Sequence, residues 1–147
     1  IFSLRHGIRL SYTGIEAFPI DLAVARRLNY PNYLAFPEER DVFERMHAET
    51  TFSAEQFTFR RIASMSEIPE EDRFDCIFFD AFAPGAQPDL WDQLTFDRLF
   101  AFTNHGGCLV TYCAQGEVRR KMVEAGFEVQ RIPGPPGKRE MLRAVKL

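Results

Sequence analysis

The chain has 147 residues, room for one domain around one hydrophobic core. Its composition, 46% hydrophobic and 27% charged, excludes intrinsic disorder and collagen-like repeats, and 15 Phe argue for a well-filled interior. No apolar run approaches the roughly 18–20 residues of a membrane span. The first residues carry Arg5, His6 and Arg9 and no small-residue cleavage site, unlike a signal peptide. The first residue is Ile1 rather than Met, so the native start is expected upstream. Cys76, Cys108 and Cys113 are an odd count without metal-ligand spacing; each is expected as a small buried hydrophobe in a reducing, cytoplasmic setting. The net charge is −3, but residues 1–114 carry −7 and residues 115–147 carry +4. A basic C-terminal quarter fits either anion or nucleic-acid contact or a solvated face.

In chain order, residues 9–15 read as a short strand closed by Glu16 and the Phe18-Pro19 break. A helix follows from Pro19 to about Leu28, and a second one capped by Asp41 carries Val42, Phe43 and Met46 on one face. Residues 57–62 alternate like a strand. Residues 74–79, Phe-Asp-Cys-Ile-Phe-Phe, are almost continuously apolar and predict a central strand covered on both faces, ending at Asp80. After a loop with Pro84 and Pro88, a helix holds Leu94, Leu99, Phe100 and Phe102. Gly106-Gly107 leads into a second buried strand, residues 108–113. Residues 115–125 form a helix with Val118, Met122 and Val123 inward and Gly126 as its cap. Strands 128–132 and 141–147, joined by a Pro- and Gly-rich link, form an antiparallel hairpin. The alternation predicts an α/β fold with a mostly parallel sheet.

Open α/β sheets bind ligands beyond the carboxyl ends of their strands, so the residues ending each strand are the candidates for chemistry. Glu16 ends the first strand, where an acid accepts hydrogen bonds from ribose hydroxyls; it equally suits a helix-end residue. Asp80 ends the central strand, where a carboxylate in a partly desolvated cleft takes a functional role or a purely structural one. The glycine-rich phosphate loop of such folds precedes the ribose acid by about 20 residues. That would put it ahead of Ile1, and the domain is read as truncated at its N-terminus. His6, His47 and His105 share no element, and no metal site is expected. Trp91, beside the cleft loop, is the aromatic held as a substrate contact.

The run Phe79-Asp80-Ala81-Phe82-Ala83-Pro84, Pro88-Asp89-Leu90-Trp91, Gly106-Gly107, Val118-Arg119-Arg120, Ala125-Gly126-Phe127 and Gly137-Lys138-Arg139-Glu140-Met141 resembles one family in order and spacing. It is the S-adenosylmethionine-dependent methyltransferase domain of the enzymes that make 5-methylaminomethyl-2-thiouridine at the tRNA wobble position. Ile15-Glu16-Ala17-Phe18-Pro19 matches as well, and the resemblance runs from about Tyr12 to Lys146. It implies a Rossmann-like class I methyltransferase fold, S-adenosylmethionine as cofactor and the wobble uridine of tRNA as substrate. It further implies cofactor contacts from Glu16, Ala17 and Asp80, with Asp80 also at the transfer site. The substrate would be met by Phe82, Pro84 and Trp91, and its phosphates by Arg119, Arg120, Lys138 and Arg139. Some family members carry a flavin-dependent oxidase domain besides. The chain departs from the family pattern at Arg60-Arg61, where a Gly-Asp pair is usual. A Rossmann-like binding module without catalysis, and a methyltransferase for another amine, are the alternative functions.

Overall fold

The computed structural model describes residues 7–33 and 40–147; His6 and Arg5 lie outside them. The chain divides into two compact units, Ile1–Pro69 and Glu70–Leu147.

The first unit contains a three-stranded sheet in the order β1-β3-β2, with β1 Leu10–Ile15, β2 Thr51–Ala54 and β3 Phe57–Ile62. β1 runs parallel to β3, pairing Leu10 with Phe57 and Ile15 with Ile62. Among the described residues, three helices lie between β1 and β2: α1 Leu22–Ala25, α2 Tyr30–Tyr33 and α3 Arg40–Ala48. The helix expected from Pro19 is shorter and starts later, because Asp21 rather than Glu16 caps it: its carboxylate accepts the Ala23 N–H at 2.6 Å. Asp41 sits inside the first turn of α3 instead of capping it. Period-two alternation on β2 and β3 turns Phe52, Phe57 and Phe59 to one side, where Val42 and Met46 of α3 pack on them. Arg61 closes the carboxyl end of α3, donating to the carbonyls of Met46 and His47 at 3.3 and 3.2 Å. Arg60 reaches back to the Thr13 hydroxyl at 3.2 Å.

The second unit has a four-stranded sheet in the order β4-β5-β7-β6. Its strands are β4 Phe74–Phe78, β5 Thr103–Thr111, β6 Glu128–Pro133 and β7 Glu140–Val145. β4 and β5 are parallel, whereas β5–β7 and β6–β7 are antiparallel, so the expected C-terminal hairpin is present. With the β2–β3 hairpin added, antiparallel pairing is more extensive than the strand–helix alternation predicts, and the sheets are mixed. Two helices, α4 Gln93–Phe102 and α5 Gly116–Glu124, supply the apolar layer on one side of this sheet. Phe96, Leu109, Met122 and Leu142 are its fully buried centre.

One expectation fails here. Within the described residues of this unit β4 stands at the edge of its sheet and Phe78 is 76% exposed, so there the strand is not covered on both faces. On β5 the burial alternates, with Leu109 and Thr111 inward and Cys108 and Val110 outward. Val123, expected inward, is exposed because it lies off the stripe that α5 turns to the sheet, and Leu94 of α4 is exposed as well. The cysteines are corrected too. Cys76 is exposed, and its thiol lies 3.8 Å from that of its strand partner Cys108. Burial of part of the side chain, then the bond with Cys108, pushes the Cys76 thiol up to about 11 and keeps it protonated at neutral pH.

Two glycine-dependent turns complete the frame. β5 bulges at Gly106-Gly107, between the pairs Phe74–Thr103 and Cys76–Cys108. A side chain on Gly107 would meet the Asn104 and Asp75 carbonyls at 2.9 and 3.0 Å. After α5, Gly126 takes a φ of +112°; its N–H and that of Phe127 donate to the Val123 and Met122 carbonyls at 3.0 and 3.1 Å. That is a Schellman end, and it confirms Gly126 as the stop signal.

Candidate active site at the carboxyl edge of the second sheet

β4 and β5 are parallel and therefore end at one edge of their sheet. β7 is antiparallel to β5, pairing Thr111 with Leu142, so it begins at that same edge. Three segments consequently meet there: the loop after β4, the residues between β5 and α5, and the β6–β7 link. A cavity of about 320 Å³ lies between them, lined among others by Asp80, Ala83, Trp91, Tyr112, Gln115 and Lys138. A second cavity of about 300 Å³ adjoins it, sharing Pro84, Trp91 and Gln115 and adding Glu117 and Lys121.

The loop after β4 is held rigidly. Phe79 turns inward and meets the Trp91 ring edge-on, centroids 5.0 Å apart, and the Phe96 ring at 5.8 Å. The Trp91 indole N–H donates to the Phe82 carbonyl at 2.7 Å, and the Ala83 carbonyl accepts the N–H groups of Ala86 and Gln87 at 2.7 and 3.1 Å. Trp91 is only 3% exposed, so it offers the cavity a packed wall. Its carbonyl in turn receives the Lys121 ammonium at 2.8 Å, which also pairs with Glu117 at 3.0 Å. That pairing, with the charge of Arg120 nearby, holds the Glu117 carboxyl below its usual range.

Asp80 lines the cavity and is exposed at its mouth, less desolvated than the apolar run before it suggests. Lys138 lines it from the β6–β7 link. Among the described residues, neither the Asp80 carboxylate nor the Lys138 ammonium has a hydrogen-bond or ion-pair partner. Pro84 is in the wall, whereas Phe82 is outside it and 76% exposed. Arg119, Arg120 and Arg139 are exposed and line neither cavity. Among the described residues Arg119 and Arg120 form no ion pair with Glu117 or Glu124; Glu117 pairs with Lys121. Tyr112 and Gln115 also line the cavity and are not among the candidates the sequence offers; the usable signal is positional, since both follow the carboxyl end of β5.

In the first unit, Glu16 follows β1 directly, its N–H bonded to the Ile62 carbonyl at 2.9 Å. Its side chain is exposed, with Oε1 accepting the Phe18 N–H at 3.0 Å. Ala17 is exposed beside it. A carboxylate in that position, with a second oxygen to offer, suits a vicinal diol, and Arg60 and Arg61 are turned to Thr13 and to α3. The carboxylate can accept hydrogen bonds from the hydroxyls of a nucleoside cofactor's ribose, so the residues present fit such a group.

Comparison with known proteins bears on the family and the fold. The chain is 34% identical over 147 residues to a tRNA 5-methylaminomethyl-2-thiouridine biosynthesis bifunctional protein MnmC of Pseudomonas putida. The same protein of Pseudomonas aeruginosa is 34% identical over 145 residues. These matches take in 91% and 92% of this chain but only 22% of each relative, so the chain spans about a fifth of their length. Among solved structures, MnmC2 from Aquifex aeolicus superimposes with a TM-score of 0.63 over 72% of this chain and 35% of that one, at 22% identity, which shows the shared fold. A family model described as S-adenosyl-L-methionine-dependent methyltransferase matches residues 32–147. With four-fifths of its length inside that match, the chain belongs to the S-adenosyl-L-methionine-dependent methyltransferase family.

Proposed function

We propose that this protein methylates the aminomethyl group of the wobble uridine in tRNA, in the cytoplasm, with Asp80 at the transfer site. The observation that carries the reading is the unpaired Asp80 carboxylate at the carboxyl end of β4, in the wall of a cavity closed by a rigid loop. The likeness to proteins named for tRNA 5-methylaminomethyl-2-thiouridine biosynthesis supports the substrate class. The cofactor, when bound, supplies an electrophilic methyl group on a sulfonium. The chain's own residues have three tasks. Glu16 and Ala17 hold the cofactor's ribose through the exposed carboxylate. Asp80 orients the substrate amine, which is mostly protonated at neutral pH, and accepts the proton that must leave before nitrogen can act as nucleophile. Pro84 and Trp91 wall the cavity around the reacting group.

The test is transfer of a labelled methyl group from S-adenosylmethionine to tRNA bearing 5-aminomethyluridine, using the full-length protein. Asp80→Ala should lower the rate by roughly 100-fold or more, the scale of a positioned acid–base group, with the fold intact by circular dichroism. A variant that keeps its rate returns Asp80 to a structural role. A binding module without catalysis is the second reading, motivated by Arg60 and Arg61 standing where the family has Gly-Asp. It predicts that calorimetry finds no S-adenosylmethionine binding, whereas the enzyme reading predicts micromolar affinity.

A further inference from the structure

The β6–β7 link is built around one side chain. Pro135-Pro136-Gly137-Lys138 is a type II turn: the Lys138 N–H donates to the Pro135 carbonyl at 2.9 Å, and Gly137 has a φ of +90°. Proline sets the first central residue of such a turn, and glycine alone takes the second without strain. Gly134 is equally specific, because a side chain there would meet the Lys138 carbonyl oxygen at 2.6 Å and its Cβ at 2.8 Å. The Gly134 N–H closes the link on the Arg139 carbonyl at 3.3 Å. Two glycines and a Pro-Pro pair thus fix the backbone of Lys138 at the edge where β4 and β5 end.

Lys138 lines the Asp80 cavity, and among the described residues its side chain has no partner. Arg119, Arg120 and Arg139 line neither cavity, and Lys121, which lines the second, is engaged by Glu117 and the Trp91 carbonyl, which sets Lys138 apart from them. In the sheet, β7 stands two strand positions from β4, about 10 Å. A carboxylate and an ammonium that line one cavity without pairing suit a ligand that carries a positive group and an anion on one small framework. An aminomethyl pyrimidine nucleotide has that form: in the anti conformation its 5-substituent and its 5′-phosphate project to the same side of the ribose.

We infer that Lys138 is a specificity-determining residue that binds a phosphate of the reacting nucleotide itself while Asp80 holds its amine. This rests on the proposed methyl transfer to a nucleotide amine. Lys138 selects a nucleotide-borne amine over a free one and sets how deep the nucleotide enters, as an enzyme acting on an extruded base requires. An ammonium on a preset backbone serves as a point charge for phosphate.

The experiment uses the full-length protein and an RNA hairpin with one 5-aminomethyluridine in its loop. The comparison hairpins carry a single uncharged methylphosphonate at one or the other phosphate flanking that nucleotide. For the wild type, one of the two replacements should lower kcat/KM by roughly 10- to 100-fold, the scale of a hydrogen bond to a charged group. Lys138→Met should lose activity on the natural hairpin by the same factor and become indifferent to the methylphosphonate, while Lys138→Arg keeps the sensitivity. If Lys138→Met turns over too slowly, the same ratios are read from hairpin affinity by fluorescence anisotropy. A Lys138→Met variant as sensitive as the wild type, or a wild type insensitive at both phosphates, overturns the inference. So does loss of S-adenosylmethionine affinity with sensitivity unchanged, which would give Lys138 to the cofactor's carboxylate. A wild type that methylates no hairpin at all sinks the functional reading instead, so the two failures are distinct.

Discussion

Glu16 and Asp80 are the same kind of group at the same kind of place, a carboxylate at the carboxyl end of a strand, yet their surroundings differ. Glu16 has one oxygen engaged by the Phe18 N–H, which fixes the carboxylate while leaving its second oxygen to a ligand. Asp80 has no partner among the described residues and stands in a cavity wall. The first arrangement suits steady recognition of a diol, the second a group that must gain and lose a proton. Glu16→Gln in the full-length protein should therefore weaken S-adenosylmethionine binding by on the order of 1–3 kcal/mol, the cost of a hydrogen bond to a charged group. The rate at saturating cofactor should stay near that of the wild type. Titration calorimetry of the pair decides it, since equal affinities would leave Glu16 as the residue that closes the turn after β1.

At the level of elements, the clearest stop signal is the end of α5, and it carries a stability prediction. Gly126→Ala should destabilise the protein by roughly 1–3 kcal/mol, since alanine resists a positive φ. Its methyl group would also lie 2.9 Å from the Phe100 ring. Chemical denaturation of the two proteins measures the difference, and an unchanged midpoint would mean that the turn has another conformation. That signal was legible because one residue type solves a local backbone problem. β3, β4 and the C-terminal hairpin were legible for a related reason, their apolar period. β2 was not. Its hairpin turns on Glu55-Gln56 with Glu55 at a φ of +46°, where Asn-Gly or Asp-Gly is the usual pair, so no turn residue announces it. The exposure of β4 was hidden too: Cys-Ile-Phe-Phe reads as doubly covered, but coverage depends on the neighbours of an edge strand, which its own residues do not encode. Within the site, Asp80 and Lys138 could be found from strand ends and motif. That Phe82 points out of the cavity while Trp91 is packed could not, because the loop between them is shaped by one long-range bond, from the indole N–H to the Phe82 carbonyl.

For the molecule as a whole, the uneven charge is the property that bears on a large substrate. Residues 1–114 carry −7 and residues 115–147 carry +4, so the cations are concentrated in the stretch that supplies α5 and the hairpin. A net-acidic protein approaching tRNA relies on such local clusters, because phosphate contacts dominate nucleic-acid affinity. Arg119 and Arg120 are exposed on α5, a helix whose acidic neighbour Glu117 is already paired with Lys121. Arg139 is exposed beside the Lys138 turn. Among the described residues these three arginines form no ion pair, so they are available to phosphates outside the cavity that Lys138 lines. The resulting prediction concerns salt. Replacing Arg119, Arg120 and Arg139 with Ala in the full-length protein should weaken tRNA binding most at low ionic strength. It should also flatten the plot of log affinity against log salt, by about 1 for each phosphate no longer neutralised. Methyl transfer to a short hairpin that does not reach these residues should be spared, which separates docking from chemistry. A triple variant that binds tRNA with the affinity and slope of the wild type would show that α5 and the hairpin are a solvated face and that tRNA docks elsewhere.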